Sequence, residues 1–292
     1  MFPGFETVEV FVAGVVIHAV RGGAGRPLLL LHGYPQTHVI WHKIAPALAE
    51  HFTVVAADLR GYGDSGKPAG GPDHAGYSKR AMAADQAALM TQLGFEGFCV
   101  AGHDRGGRVA HRMALDYPGR VRRLAVLDIA PTHHMYTTAD MDFARAYYHW
   151  FFLIQPYDLP ERLIGAEVDH WLDSKFAQWG RAAQAITPEA RAEYRRCFSA
   201  PAAIHASCED YRAFAGIDLQ HDAADLNRKL ACPVLALWGE QGFVGRKYDV
   251  LETWRARAAD VRGHGLPCGH FLPEEAPEAV LAALRGFFSE DT

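Results

Sequence analysis

The stretch Val100-Ala101-Gly102-His103-Asp104-Arg105-Gly106-Gly107-Arg108 decides how the chain is read. The apolar run Phe98-Cys99-Val100 reads as the end of a buried strand, and Arg108 to Leu115 as the start of a helix. Between them lies Gly-x-Asp-x-Gly. Small residues two places either side of a central residue let the backbone turn sharply from strand to helix. The central side chain is then thrust out at the top of a sheet, strained and exposed. A serine there would attack a carbonyl. Asp104 offers a carboxylate instead, which suits displacement of a leaving group from a saturated carbon and formation of an enzyme ester.

Outward from this turn, the pattern is strand, helix, strand, helix. Residues 7–19 alternate around Ala13-Gly14 as a β-hairpin, and Pro27–Leu31 is a short continuous apolar strand of the kind buried on both faces. That strand runs into His32-Gly33-Tyr34-Pro35, where Tyr34 would turn a backbone N–H toward an open pocket. Ile40 to Leu48 reads as a helix, Phe52 to Ala57 as a strand, and Lys79 to Leu93 as a helix ended by Gly94. The glycine-rich run Leu59–Pro68 lacks the Gly-Lys-Ser/Thr order of a phosphate loop and reads as scaffold; residues 67–77 read as a mobile surface loop. Leu124–Pro131 is a buried strand with Asp128 at its C-terminal end, and Cys232–Gly239 is another. The chain closes with an amphipathic helix from Pro277 to Phe288.

This alternation implies an α/β fold, with a mostly parallel central sheet flanked by helices, and ligands held at the carboxyl ends of the strands. Tyr34, Asp104, Arg105 and Asp128 all fall there. From Thr132 to Asp225 the buried-strand signal stops and aromatic-rich helical patterns take over. The expected organisation is therefore a core of residues 1–131 and 226–292 with a helical cap, 132–225, inserted between its parts.

Composition narrows the function. The 292 residues suffice for one large domain with an insertion, and a net charge of −5 without a basic run argues against nucleic acid as a partner. The 16 histidines are scattered, with no metal-ligand spacing, so no metal or other cofactor is expected. Five cysteines form no framework, and Cys99 and Cys232 fall in predicted strands. No apolar run is long enough to span a bilayer, and the N-terminus lacks a secretory pattern. The expectation is a soluble, reduced, cytoplasmic protein.

A nucleophilic carboxylate needs a base for the second half of the reaction and an acid to orient that base. His270, in Leu266-Pro267-Cys268-Gly269-His270-Phe271, precedes the final helix and is the favoured base, with His264 as its competitor. In Trp238-Gly239-Glu240-Gln241-Gly242 a glycine stands where many proteins of this architecture place the acid. Asp128 is then the better partner, with Glu240 in reserve. The backbone N–H groups of Tyr34 and Arg105 would stabilise an oxyanion. Arg105 and Arg108, three apart in the first helical turn, make an anion site that suits a small carboxylate substrate; surface ion pairs are their plainer alternative.

These residues resemble the α/β-hydrolase superfamily and, within it, the fluoroacetate (haloacetate) dehalogenases. The likeness runs through His32-Gly33-Tyr34-Pro35-Gln36, Gly102–Arg108, Val126–Ile129 and Pro267–Phe271, and in the cap through Arg145–Trp150 and Ser207–Ala213. It implies an α/β-hydrolase fold and hydrolysis of a haloacetate to glycolate and halide, with Asp104 as nucleophile, His270 as base and Asp128 as its partner. It also implies Arg105 and Arg108 on the substrate carboxylate, His149, Trp150 and Tyr211 on the halide, Trp179 near the substrate path, and a homodimer. An imidazole, an indole and a phenol would supply the donors that poorly leaving, strongly hydrated fluoride needs in a dry pocket. The plainer fate of Trp150 and Tyr211 is cap core. Tyr34 stands where relatives often have Phe, which leaves a backbone role untouched. Two other functions remain open. An epoxide hydrolase would use the same Asp–His–Asp set, with Tyr211 and either Tyr147 or Tyr148 as ring-opening phenols. A non-catalytic carboxylate receptor would use the pocket alone.

Overall fold

The computed structural model describes residues 1–182 and 184–290. Residue 183 of the inserted segment and residues 291–292 of the closing one lie outside the described residues. Eight strands form one sheet: β1 (Glu6–Val12), β2 (Val15–Gly22), β3 (Arg26–Leu31), β4 (Phe52–Ala57), β5 (Phe98–His103), β6 (Val121–Leu127), β7 (Val234–Gly239) and β8 (Val261–Leu266). Their spatial order is β1-β2-β4-β3-β5-β6-β7-β8. The β1–β2 hairpin is antiparallel and joins β4 antiparallel; from β4 to β8 every pairing is parallel.

Side-chain alternation explains the two cores. Leu28, Leu30, Val54, Ala56, Ala101, Ala125 and Leu127 face one way, against Trp41 and the final helix, Pro277–Ser289. Leu29, Leu31, Val55, Val100, Leu124 and Val126 face the other, into an apolar mass continuous with the inserted helices. Because helices cover both faces, β4 and β5 are buried at every residue. Among the described residues, eight helices between β6 and β7, from Thr132–Thr137 to Ile217–Ala224, lie over the carboxyl ends of the strands.

Several local expectations change. The helix after the turn begins at Arg105, directly after Asp104, and runs to Asp116. The expected helix 40–48 is broken into a 3-10 turn, His38–Trp41, and a single turn, Ala45–Leu48. Pro46 sits at the start of the second piece, where its missing N–H costs nothing, but it cannot continue a helix arriving from residue 41. Cys232 precedes β7 rather than lying in it. The stretch 67–77 is pinned to its surroundings: the Tyr77 hydroxyl donates to Pro68 O at 2.7 Å, and His74 Nδ1 lies 2.8 Å from Glu209 Oε2 in the inserted helices. Among the described residues no helix is long and apolar enough to cross a membrane.

Candidate active site

The Gly-x-Asp-x-Gly turn is as tight as its composition implies. A Cβ on Gly102 would run into Gly106, and one on Gly106 would run into the carbonyls of Leu31 and His32. Asp104 itself adopts φ 47°, ψ −113°, a left-handed conformation that non-glycine residues rarely take. Gly33 lets the neighbouring loop close in, since a Cβ there would meet the Asp104 side chain. As a result Tyr34 N donates to Asp104 Oδ1 at 2.9 Å. Arg105 N lies next to it in the chain, at the start of the helix.

His270 and Asp128 form the expected pair, with Nδ1 2.6 Å from Asp128 Oδ2. The other oxygen, Oδ1, accepts from Gly239 N at 2.9 Å. A Cβ on Gly242 would lie 3.5 Å from both Asp128 oxygens. The carboxylate thus reaches from the end of β6 to the place beside β7 where the sequence has no acid. His264 is exposed within β8, and Glu240 is exposed at the end of β7. Neither approaches this pair.

The electrostatics suit displacement chemistry. Burial pushes the Asp104 carboxyl up, but His270 foremost, with His103 and the two arginines, outweighs it and holds the group below the usual carboxylate range. Burial lowers His270, yet the hydrogen bond and charge of Asp128 prevail and raise it above an ordinary histidine. His149 is held well below its usual value by burial and by Lys175, so it is a neutral imidazole.

Arg105 and Arg108 are both buried and anchored separately. Arg105 makes a bidentate pair with Asp210, Nε to Oδ2 at 2.9 Å and Nη2 to Oδ1 at 2.5 Å, and its guanidinium lies 4.2 Å from the Tyr211 ring centre. Lys79 and the Tyr62 hydroxyl share the same carboxylate, the latter at 2.6 Å. Arg108 Nη1 donates to Ala130 O and Thr132 Oγ1, both at 3.1 Å. Arg105 Nη1 and Arg108 Nε remain buried without a partner, as do His149 Nδ1 and Trp179 Nε1. Unpaired buried polar atoms are uncommon in a folded protein, and those of Arg105, Arg108 and His149 belong to residues that interact electrostatically with Asp104.

From the inserted helices, the His149 ring lies 5.6 Å from Tyr211 and 4.6 Å from Trp179, and the Trp179 ring lies 5.6 Å from His270. His149 and Tyr211 both flank Tyr34. Trp150 is set deeper. It packs on Phe214 and Phe143, with the Arg108 guanidinium 5.0 Å from its ring. Of the two other phenols, Tyr148 is tied to Lys175 at 2.6 Å, whereas Tyr147 lies 5.4 Å from His149. A cavity of about 180 Å³ reaches His270, lined also by Tyr147, Trp179, Arg181, Phe243 and Arg246.

Sequence reasoning missed Asp210, Lys79, Thr132 and Glu275. Asp210 lies in a stretch that carried the family likeness but had no role. Lys79 and Thr132 have partners distant in the chain, and Glu275 binds main-chain N–H groups, which leave no mark in the sequence.

The chain belongs to the α/β-hydrolase fold family: a family model for that fold matches residues 26–277. The chain is 50% identical to the fluoroacetate dehalogenase of Burkholderia sp, over 99% of this chain and 96% of that protein. It is 36% identical to the soluble epoxide hydrolase of Corynebacterium sp. (strain C12), over 96% of each. The solved structure of ALR0039 from Nostoc sp PCC 7120 matches all of both chains, with a TM-score of 0.99 and 62% identity.

Proposed function

We propose that this protein is a hydrolytic dehalogenase that cleaves the carbon–halogen bond of small haloacetates, fluoroacetate included. What carries the reading is the set of unpaired guanidinium nitrogens on Arg105 and Arg108 beside an ionised, strained carboxylate backed by a His–Asp pair. The similarity to a fluoroacetate dehalogenase supports it.

In the first half-reaction, Arg105 and Arg108 hold the substrate carboxylate, and the free Asp104 oxygen attacks the halogen-bearing carbon. The carbon–halogen bond breaks, and halide leaves toward His149, Trp150 and Tyr211, with Trp179 beside the path. No proton moves. In the second, water attacks Asp104 Cγ and gives a proton to His270 Nε2, since Nδ1 is committed to Asp128. The N–H groups of Tyr34 and Arg105 receive the oxyanion. Collapse breaks the bond from Cγ to the glycolate oxygen. The imidazolium protonates the departing alkoxide, and the regenerated Asp104 carboxyl loses its proton to solvent.

Residues 1–131 and 226–292 act as the catalytic core and 132–225 as the cap. We place the enzyme in the cytoplasm, a reading favoured by five free, buried cysteines. We place it there as a homodimer. Leu159 and Leu163, one helical turn apart, are half exposed on the cap (50% and 56%) and offer an apolar contact face, which sedimentation equilibrium would test.

The second reading, epoxide hydrolysis, is favoured by Tyr147 and Tyr211 on either side of His149. One experiment separates the alternatives. Single turnover in heavy-oxygen water should release halide from fluoroacetate and leave the label in Asp104, with none in the glycolate. Label in the glycolate overturns the ester mechanism, and diol formation from an epoxide without halide release favours the second reading.

A further inference from the structure

Glu275 ends the one-turn helix Leu272–Glu275, five residues beyond His270. Four backbone N–H groups converge on its carboxylate. Gly269 N and Phe271 N donate at 3.0 and 2.8 Å, and these two residues flank the base. Arg181 N and Ala182 N donate at 2.8 and 3.3 Å, and they follow Trp179 at the end of the inserted helix Val168–Trp179. Two further bonds complete the arrangement. His270 N donates to Trp179 O at 3.0 Å, and His270 O lies 2.7 Å from His103 Nε2. The backbone around the base is therefore held from the core by His103 and from the cap by Trp179, with one carboxylate clasping both sides.

We propose that Glu275 is a positioning residue for the second half-reaction, aligning His270 with the water that attacks the Asp104 ester while the cap segment Trp179–Ala182 is docked. The proposal rests on the ester mechanism above. Its logic is donor and acceptor arithmetic. Four N–H groups demand an acceptor-only partner, which a carboxylate is and an amide is not. Gln at this position would turn an NH2 toward backbone donors, leaving some unpaired and the loop free to shift. Base catalysis is steep in geometry, because the imidazole must stay within hydrogen-bond reach of the attacking water. The displacement step needs no base, so it depends less on the exact placement of the His270 ring.

The test uses the full-length protein with chloroacetate, rapid quenching and intact-mass detection of the alkylated enzyme. In Glu275→Gln, alkylation should stay within about threefold of the unmodified protein, while ester hydrolysis falls about tenfold or more, so the ester accumulates. Glu275→Asp keeps an acceptor-only group on a shorter arm and should fall between the two. It carries the same test if the Gln variant does not fold. A merely structural role would lower the active fraction and slow both steps alike. Equal slowing of both steps, or no slowing of hydrolysis, overturns the proposal. Absence of any ester in His270→Asn overturns the ester mechanism, and this inference with it.

Discussion

The two walls of the pocket are held in place by different means. On the sheet side, the chain's own path fixes the geometry: Asp104 sits on a strained turn, Asp128 directly follows β6 at φ 53°, and Tyr34 contributes a main-chain N–H. On the cap side, position depends on side chains packed against side chains, as with His149 against Trp179 and Trp150 against Phe214. Backbone-fixed groups tolerate little displacement and give all-or-none chemistry. Packed groups can be altered one at a time, so they are where preference among substrates is set. Arg105 crosses the divide, as a core residue whose guanidinium is clasped by Asp210 from the cap.

The largest expected effect tests the sheet side. Asp128→Asn should slow ester hydrolysis by about 10³–10⁴-fold, read by steady-state halide release, because the imidazole loses its orienting acceptor. The pH profile gives the sign. In the proposed mechanism His270 can act as a base only when neutral, and its proton affinity is raised. The rate should therefore climb with pH through a midpoint above that of an ordinary histidine. Removing the Asp128 charge should move that limb to lower pH. An unmoved limb would mean that the sheet side is not what tunes the base.

The next effect tests the residue that bridges the two. Asp210→Asn takes the bidentate carboxylate from buried Arg105 and leaves Lys79 only Asp218, 3.6 Å away, so it should cost about 3–5 kcal/mol of stability in urea unfolding. It should also raise KM for haloacetate more than it lowers kcat, because Arg105, the proposed carboxylate-binding residue, loses its hold. An unchanged KM would make the two walls independent. The smallest effect lies within the cap. Trp150→Phe keeps an aromatic side chain but removes the indole N–H with its five-membered ring, so it should slow defluorination by about tenfold and dechlorination less. Equal losses would assign Trp150 to packing alone, as its aromatic neighbours allow.

The same divide governs what could be read from the amino-acid order. Asp104, Asp128 and the Tyr34 amide were legible because each follows an apolar strand, and His270 because it stands after a glycine in the loop before the final helix. The partner of Arg105 lies 105 residues away in a helix with no periodic link to it, so the Asp210 clasp was invisible. β8, Val-Arg-Gly-His-Gly-Leu, carries two glycines and little apolar signal. The structure supplies the reason: a side chain at Gly263 or Gly265 would collide with Ala236 or Glu240 on the neighbouring strand. The break before Ala45 was legible in principle from Pro46, but the apolar spacing across 40–48 concealed it.

The open nitrogens of Arg105 and Arg108 have a consequence for turnover. In the proposed reaction glycolate keeps the carboxylate of its parent acid, so this end of the pocket would grip product as firmly as substrate. Commitment to the forward direction must come from the opposite end, where a carbon–halogen bond has become a hydroxyl and a free anion, and accumulating glycolate would compete for the same cradle.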